Sequence, residues 1–195
     1  MLAEEAHRPM TRETEPHILM DATGVNDALG QLASDILSRG APEDLLLVGI
    51  RRRGVELAER LADLLTARTG QAVSTGSLDI TLYRDDFAQI GSLPVIGTTE
   101  IPSDVTGLRV IIVDDVLYTG RTIRAALNEI ADFGRPSRIE LCVLIDRGGR
   151  ELPIHADFVG MSYEAGEREH VEVRVPEQDG ELCARVVRAV GARSE

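Results

Sequence analysis

The chain has 195 residues, of which 43% are hydrophobic, enough for one globular domain with a sizeable core. Its 21 basic residues face 33 acidic ones, a net charge of −12, which argues against general nucleic-acid affinity and leaves room only for a local basic face. Every basic residue is arginine; with no lysine anywhere, a Walker-type nucleotide loop and a phospho-receiver domain are both excluded. Cys142 and Cys183 fit no metal or redox spacing, and Cys142 sits in an apolar run that predicts a small buried hydrophobe. The four histidines, His7, His17, His155 and His170, are scattered and suggest no metal site. No signal peptide is visible, and no apolar run approaches the roughly 20 residues of a membrane span. A cytoplasmic protein is the expectation.

In chain order, residues 1–20 read as a polar, disordered lead-in and residues 21–195 as a single domain. A helix is predicted over residues 26–38, with Val25, Ala28, Leu29, Leu32, Ala33, Ile36 and Leu37 as its apolar stripe. Residues 44–50 form a short apolar strand. It runs into the turn Gly49-Ile50-Arg51-Arg52-Arg53-Gly54 and a helix with Val55, Ala58, Leu61, Ala62 and Leu65 inward. Arginines on a glycine-bracketed strand-to-helix turn make a candidate anion site. Residues 72–83 alternate as a strand. From Arg84 to Gly107 no helical period appears, and glycines and prolines punctuate a stretch long enough to be a flap closing over a site.

The centre of the sequence is VIIVDDVLYTGRT, residues 110–122. A β-branched strand runs to the carboxylates Asp114 and Asp115, placed at its end; the turn Tyr118-Thr119-Gly120-Arg121-Thr122 follows. A helix then starts, with Ile123, Ala126, Leu127, Ile130 and Ala131 on its buried face. The amides of such a turn and helix start favour an anion, Thr119 and Thr122 add hydroxyl donors, and Arg121 adds a positive fork. The acids repel phosphate but accept hydrogen bonds from ribose hydroxyls or help hold Mg²⁺. Acid pair beside phosphate turn points to a sugar phosphate. Further strands are expected over residues 138–145 and 156–161, then an alternating strand through Val171, Val173 and Val175, and an apolar return over 182–190.

These residues carry a resemblance. The run 110–122 resembles the phosphoribosyl-pyrophosphate (PRPP) motif of type I phosphoribosyltransferases. DITLYRDD (79–86), FGRPSRIEL (133–141) and DRGGRELPIHADFVG (146–160) are similar to the PyrR family of pyrimidine-operon attenuation regulators that are also uracil phosphoribosyltransferases. The resemblance implies an α/β fold with a mostly parallel central sheet flanked by helices, a flexible flap and a small hood for the base. It implies the reaction uracil plus PRPP to UMP plus pyrophosphate, with Mg²⁺ held mainly through PRPP and no dedicated protein cage. It also implies UMP-dependent binding to pyrimidine-operon leader RNA and a homodimer or higher homo-oligomer.

By this resemblance Asp114 and Asp115 take the ribose hydroxyls, and Tyr118, Thr119, Gly120, Arg121 and Thr122 cradle the 5′-phosphate. Arg52, Arg53 and Gly54 meet the pyrophosphate, and Arg84 closes on it from the flap. Arg147 and the backbone at 159–161, ending in Met161, lie by the base. Arg150 is the residue remaining from the family's basic RNA face.

The chain also departs from the family. Arg52 stands where threonine is usual. Asn26-Asp27, Gly30-Gln31, Gly149, His155 and Met161 replace basic residues, and residues 163–167 replace a Pro-Thr-Ser turn. Lost phosphate contacts predict weaker RNA binding. The alternative expectation is a PRPP- or nucleotide-binding paralogue with weakened catalysis or lost RNA binding, acting as a sensor.

Overall fold

The computed structural model describes residues 16–80, 99–102, 104–166 and 168–188. The predicted flap with Arg84 falls largely on residues 81–98, outside those described, as do residues 1–15 of the lead-in. Five parallel strands form the central sheet in the order β3–β2–β4–β5–β6: β2 (Leu45–Ile50), β3 (Ser74–Leu78), β4 (Arg109–Leu117), β5 (Arg138–Asp146) and β6 (Phe158–Ser162). Side chains alternate across it. Leu45, Leu47, Ile111, Val113, Cys142 and Leu144 pack toward the helices α1 (Ala22–Ser38) and α2 (Arg53–Thr69). Leu46, Val48, Val110, Ile112 and Val143 pack toward α3 (Arg121–Ala131) on the other face. Burial on both faces is why β2 reads as an unbroken apolar run. Cys142 is buried as expected, and burial pushes its thiol up to about 12.

A second, antiparallel sheet orders β1–β8–β7, with β1 (His17–Met20), β7 (Glu169–Arg174) and β8 (Cys183–Arg188); the short α4 (Pro176–Asp179) joins β7 to β8. This sheet is the hood. It corrects the lead-in: His17–Met20, assigned to it from composition, pair with the far end of the chain, an arrangement no local pattern signals.

α1 begins four residues before its predicted start. Asp21 caps it, its carboxylate accepting the Gly24 amide at 2.8 Å. In α2 it is Leu57, not Val55, that is buried. In α3 the buried set is Ile123, Ala125, Ala126 and Ile130; Leu127 and Ala131 are turned outward, since the helix meets the sheet along a narrower stripe than predicted.

Two glycines set the β2–α2 turn against the sheet. A Cβ on Gly49 would lie 2.5 Å from the Gly54 carbonyl oxygen, and one on Gly54 would lie 2.5 Å from the Val113 carbonyl oxygen. Both obstacles are backbone. Replacing Gly54 by Ala is therefore expected to destabilise the fold by about 1–3 kcal/mol, the range for overpacking. A thermal melt should show the midpoint falling by roughly 3–10 °C for a domain of this size.

Candidate functional site

β4 outruns its neighbour β2. Their pairing ends at Gly49 with Val113, whereas β4 continues to pair with β5 through Leu117 and Asp146. Asp114 and Asp115 thus lie within β4 and not at its end, a correction with a simple cause: the strand persists where one neighbour still supports it. Asp114 is 7% exposed. Its Oδ1 accepts the Asp115 amide at 3.0 Å, and Asp115 Oδ1 accepts the Val116 amide at 2.9 Å.

The acids open onto a cleft of about 380 Å³ at the carboxyl ends of β4 and β5, where open α/β sheets bind ligands. Tyr118, Thr119, Gly120 and Thr122 line its other end. Gly120, at φ +91°, lets the chain turn sharply into α3, and Thr119 Oγ1 accepts the Arg121 amide at 3.3 Å. The Arg121 side chain is not in the cleft lining: its Nε and Nη2 donate to Glu151 Oε2 at 2.9 and 2.7 Å.

The arginine turn divides. Arg52 faces a neighbouring cleft of about 560 Å³ with Arg51, Ser77, Asp79 and Glu100. Arg53 enters the main cleft, where its Nε and Nη2 each donate to an Asp179 carboxylate oxygen at 3.0 Å, with Glu172 at 3.8 Å. Bonding to Arg53 holds the Asp179 carboxyl below its ordinary range. Reciprocally, the Arg53 guanidinium is raised by its bond to Asp179, with the charges of Asp115, Asp179 and Glu172 adding to it against the opposing effect of burial. Gly54 is buried beneath the turn.

At the hood end stands Arg147, 8% exposed, its guanidinium 4.0 Å from the centre of the Tyr118 ring and donating to the Glu169 carbonyl at 2.9 Å. A Cβ on Gly149, at φ +72°, would lie 2.5 Å from that ring, so glycine here makes room for Tyr118. Met161 pairs with Ile145 and packs into the core; it does not line the cleft. Arg150 is tied inward. Its guanidinium donates to the carbonyls of Ile154 at 3.0 Å, Tyr118 at 2.9 Å and Gly148 at 3.1 Å, and pairs with Asp146. It staples this loop instead of presenting a cation to a phosphate backbone.

Three cleft features are absent from the sequence reading: Asp179 as the partner of Arg53, and His170 and Glu172 in the lining. All three come from the hood, and only the alternation of β7 hinted that alternate residues there face inward. Asp114, Asp115 and Glu172 give the cleft hard oxygen donors in excess over Arg53 and Arg147, a donor set that suits Mg²⁺ carried on a polyphosphate. Among the described residues no three metal-binding side chains converge. Nor is any described helix long and apolar enough to cross a membrane.

Comparison with known proteins identifies the family. The phosphoribosyl transferase domain family matches residues 19–178. The chain is 52% identical over 164 residues to the bifunctional protein PyrR of Pelotomaculum thermopropionicum, covering 84% of this chain and 91% of that one. It is 51% identical over 164 residues to the PyrR of Thermus aquaticus, covering 84% and 91%. Among solved structures, a hypoxanthine phosphoribosyltransferase from Trypanosoma cruzi superposes with a TM-score of 0.69 at 21% identity, over 91% of this chain and 97% of that one. A hypoxanthine-guanine phosphoribosyltransferase from Bacillus anthracis gives 0.66 at 16% identity, over 92% and 100%. At such identities these two speak for the fold.

Proposed function

Because this chain belongs to the phosphoribosyltransferase family, and within it to the PyrR proteins, we propose that it joins uracil to the ribose of PRPP, giving UMP and pyrophosphate. The observation that carries the reading is one cleft with an acid pair at one end and an amide- and hydroxyl-lined helix start at the other.

Asp114 and Asp115 accept the ribose hydroxyls, while Thr119, Gly120, Thr122 and the Arg121 amide hold the 5′-phosphate. The pentose is fixed between them with its anomeric carbon toward the hood. As pyrophosphate departs, positive charge grows on the ribose and negative charge on the leaving group. Arg53, at the head of α2, faces the second of these, and the acids lie near the first. Mg²⁺, held mainly through PRPP with the cleft's carboxylates beside it, would supply positive charge to the leaving pyrophosphate. Arg147 and the hood strand β7 border the base. Arg84 acts on the departing pyrophosphate, and Arg52 supports it from the adjoining cleft. Residues 21–195, extended by β1, work as one domain in a cytoplasmic homodimer or higher homo-oligomer.

The same protein, with UMP bound, acts on pyrimidine-operon leader RNA, and this half of the function is the weaker one. The inward bonding of Arg150 supports that reading, as does the net charge of −12.

Steady-state assay of UMP formation tests the catalytic half, with hypoxanthine as the competing base. Uracil should be consumed and hypoxanthine should not. PRPP binding without turnover would favour the sensor alternative. Filter binding to a leader RNA should show UMP-dependent affinity with a shallow salt dependence, reflecting few phosphate contacts. A steep one would mean a basic face elsewhere on the assembly.

A further inference from the structure

The loop that enters the hood, residues 163–166, is held from two sides. Toward the central sheet, the Tyr163 amide donates to the Asp146 carbonyl at 2.8 Å, and the Ala165 amide donates to the Arg147 carbonyl at 3.3 Å. Toward the hood, a single carboxylate gathers it. Glu169 Oε2 accepts the Tyr163 hydroxyl at 2.8 Å and the Gly166 amide at 3.0 Å; Glu169 Oε1 accepts Arg188 Nε at 3.1 Å. The bonding is strong enough to lower the Glu169 carboxyl and raise the Tyr163 phenol from their ordinary values, in each case chiefly through these hydrogen bonds.

Glu169 is also the residue whose carbonyl receives the Arg147 guanidinium. Arg147 is thereby fixed at four points: its amide on the Leu117 carbonyl, its carbonyl under the Ala165 amide, its guanidinium on Glu169 and against the Tyr118 ring. Two of the four depend on where loop 163–166 and Glu169 sit. Neither Tyr163 nor Glu169 lines the cleft, whereas Arg147 does.

We propose that Tyr163, acting through Glu169, is a positioning residue that sets the Arg147 guanidinium at the base end of the cleft and so tunes affinity for the pyrimidine. The inference rests on the uracil reading above and deepens it. Arg147 has a long side chain with considerable rotamer freedom. Held in advance, it meets the base without an ordering cost; unpinned, it must be ordered each time the base binds. The acid pair hangs on β4 and the 5′-phosphate amides on the start of α3, to which loop 163–166 makes no hydrogen bond among the described residues, so the PRPP end depends on Tyr163 less than the base end does.

The test compares full-length wild type with Tyr163→Phe, which keeps the ring and loses only the hydroxyl. Each substrate is varied at saturating levels of the other, UMP binding is measured by calorimetry, and thermal melts are run alongside. KM for uracil should rise about three- to tenfold, the scale of one lost hydrogen bond. Kd for UMP should weaken by a similar factor, since the same base-end contact is lost and its phosphate end contributes as before. KM for PRPP and kcat should stay within about twofold. Parallel rises in both KM values would mark Tyr163 as a merely structural staple and overturn the proposal, as would an unchanged uracil KM. Wild type that neither makes UMP nor binds it would overturn the functional reading, and this inference with it. A wild type active on uracil beside an indistinguishable Tyr163→Phe would overturn this inference alone.

Discussion

Replacing Asp114 and Asp115 together by Asn should lower affinity for PRPP at least about a hundredfold, while the melting midpoint holds or rises. The loss follows from what the ribose requires. In the proposed pose each carboxylate accepts a hydroxyl hydrogen with full negative charge, and hydrogen bonds to charged groups contribute roughly 1.5–3 kcal/mol each. Two such bonds exceed two factors of ten. The fold survives because the backbone bonds these side chains make ask only for an oxygen: Asn Oδ1 can still accept the amides that Asp114 and Asp115 receive at 3.0 and 2.9 Å. Stability can even gain. Asp114, Asp115 and Glu172 share one cleft with Arg53 and Arg147, and Asp114 is buried. An unliganded cleft holding surplus negative charge stores repulsion that two amides would relieve, a familiar conflict between a binding site and the fold that carries it. Calorimetric titration with PRPP and Mg²⁺ decides the matter. Unchanged affinity would remove the acid pair from the site.

Local chemistry was the legible part of this chain. The strand, acid pair, Gly120 turn and helix start are contiguous, so thirteen residues display most of one half of the cleft. The paired apolar faces of β2 and β4 are likewise written in their own residues, and the parallel sheet follows from strands alternating with helices. What stayed hidden depends on contacts between residues far apart in sequence. The hood joins His17–Met20 to Cys183–Arg188, and nothing in HILM announces a partner more than 160 residues away. Arg53 read correctly as a cleft residue, yet its bond to Asp179 spans 126 residues. Arg121 and Arg150 show the converse dependence. An arginine beside a phosphate turn or on a basic face suggests an anion ligand, but Glu151 in one case and a ring of carbonyls in the other satisfy the guanidinium first. Sequence gives the charge of a side chain; only packing decides where it points.

Asp179→Asn should show this dependence as a pH effect on stability. In the native protein the Asp179 carboxylate receives two Arg53 N–H donors at 3.0 Å and the Val175 amide at 2.9 Å, with little exposure on its side chain. An amide there presents an NH₂ group toward the guanidinium and keeps at most one acceptor. The loss of a bidentate, charge-assisted pair should destabilise by about 2 kcal/mol at neutral pH, read as a fall in the urea midpoint. Because bonding to Arg53 depresses the folded pKa of Asp179, its contribution is complete above the unfolded value of about 3.9 and fades as pH falls through the lower, folded value. Wild type should therefore lose its advantage over Asp179→Asn below about pH 4, and the two midpoints should converge toward pH 2. Parallel curves over the whole range would show that Asp179 stabilises by shape and not by charge. The catalytic consequence has the same origin: Arg53 held on α4 is presented to the leaving group in one orientation, and the Asn variant should lose kcat/KM for PRPP by about tenfold. On the proposed reading, hood groups bear on both ends of the reaction, Asp179 through Arg53 and Glu169 through Arg147.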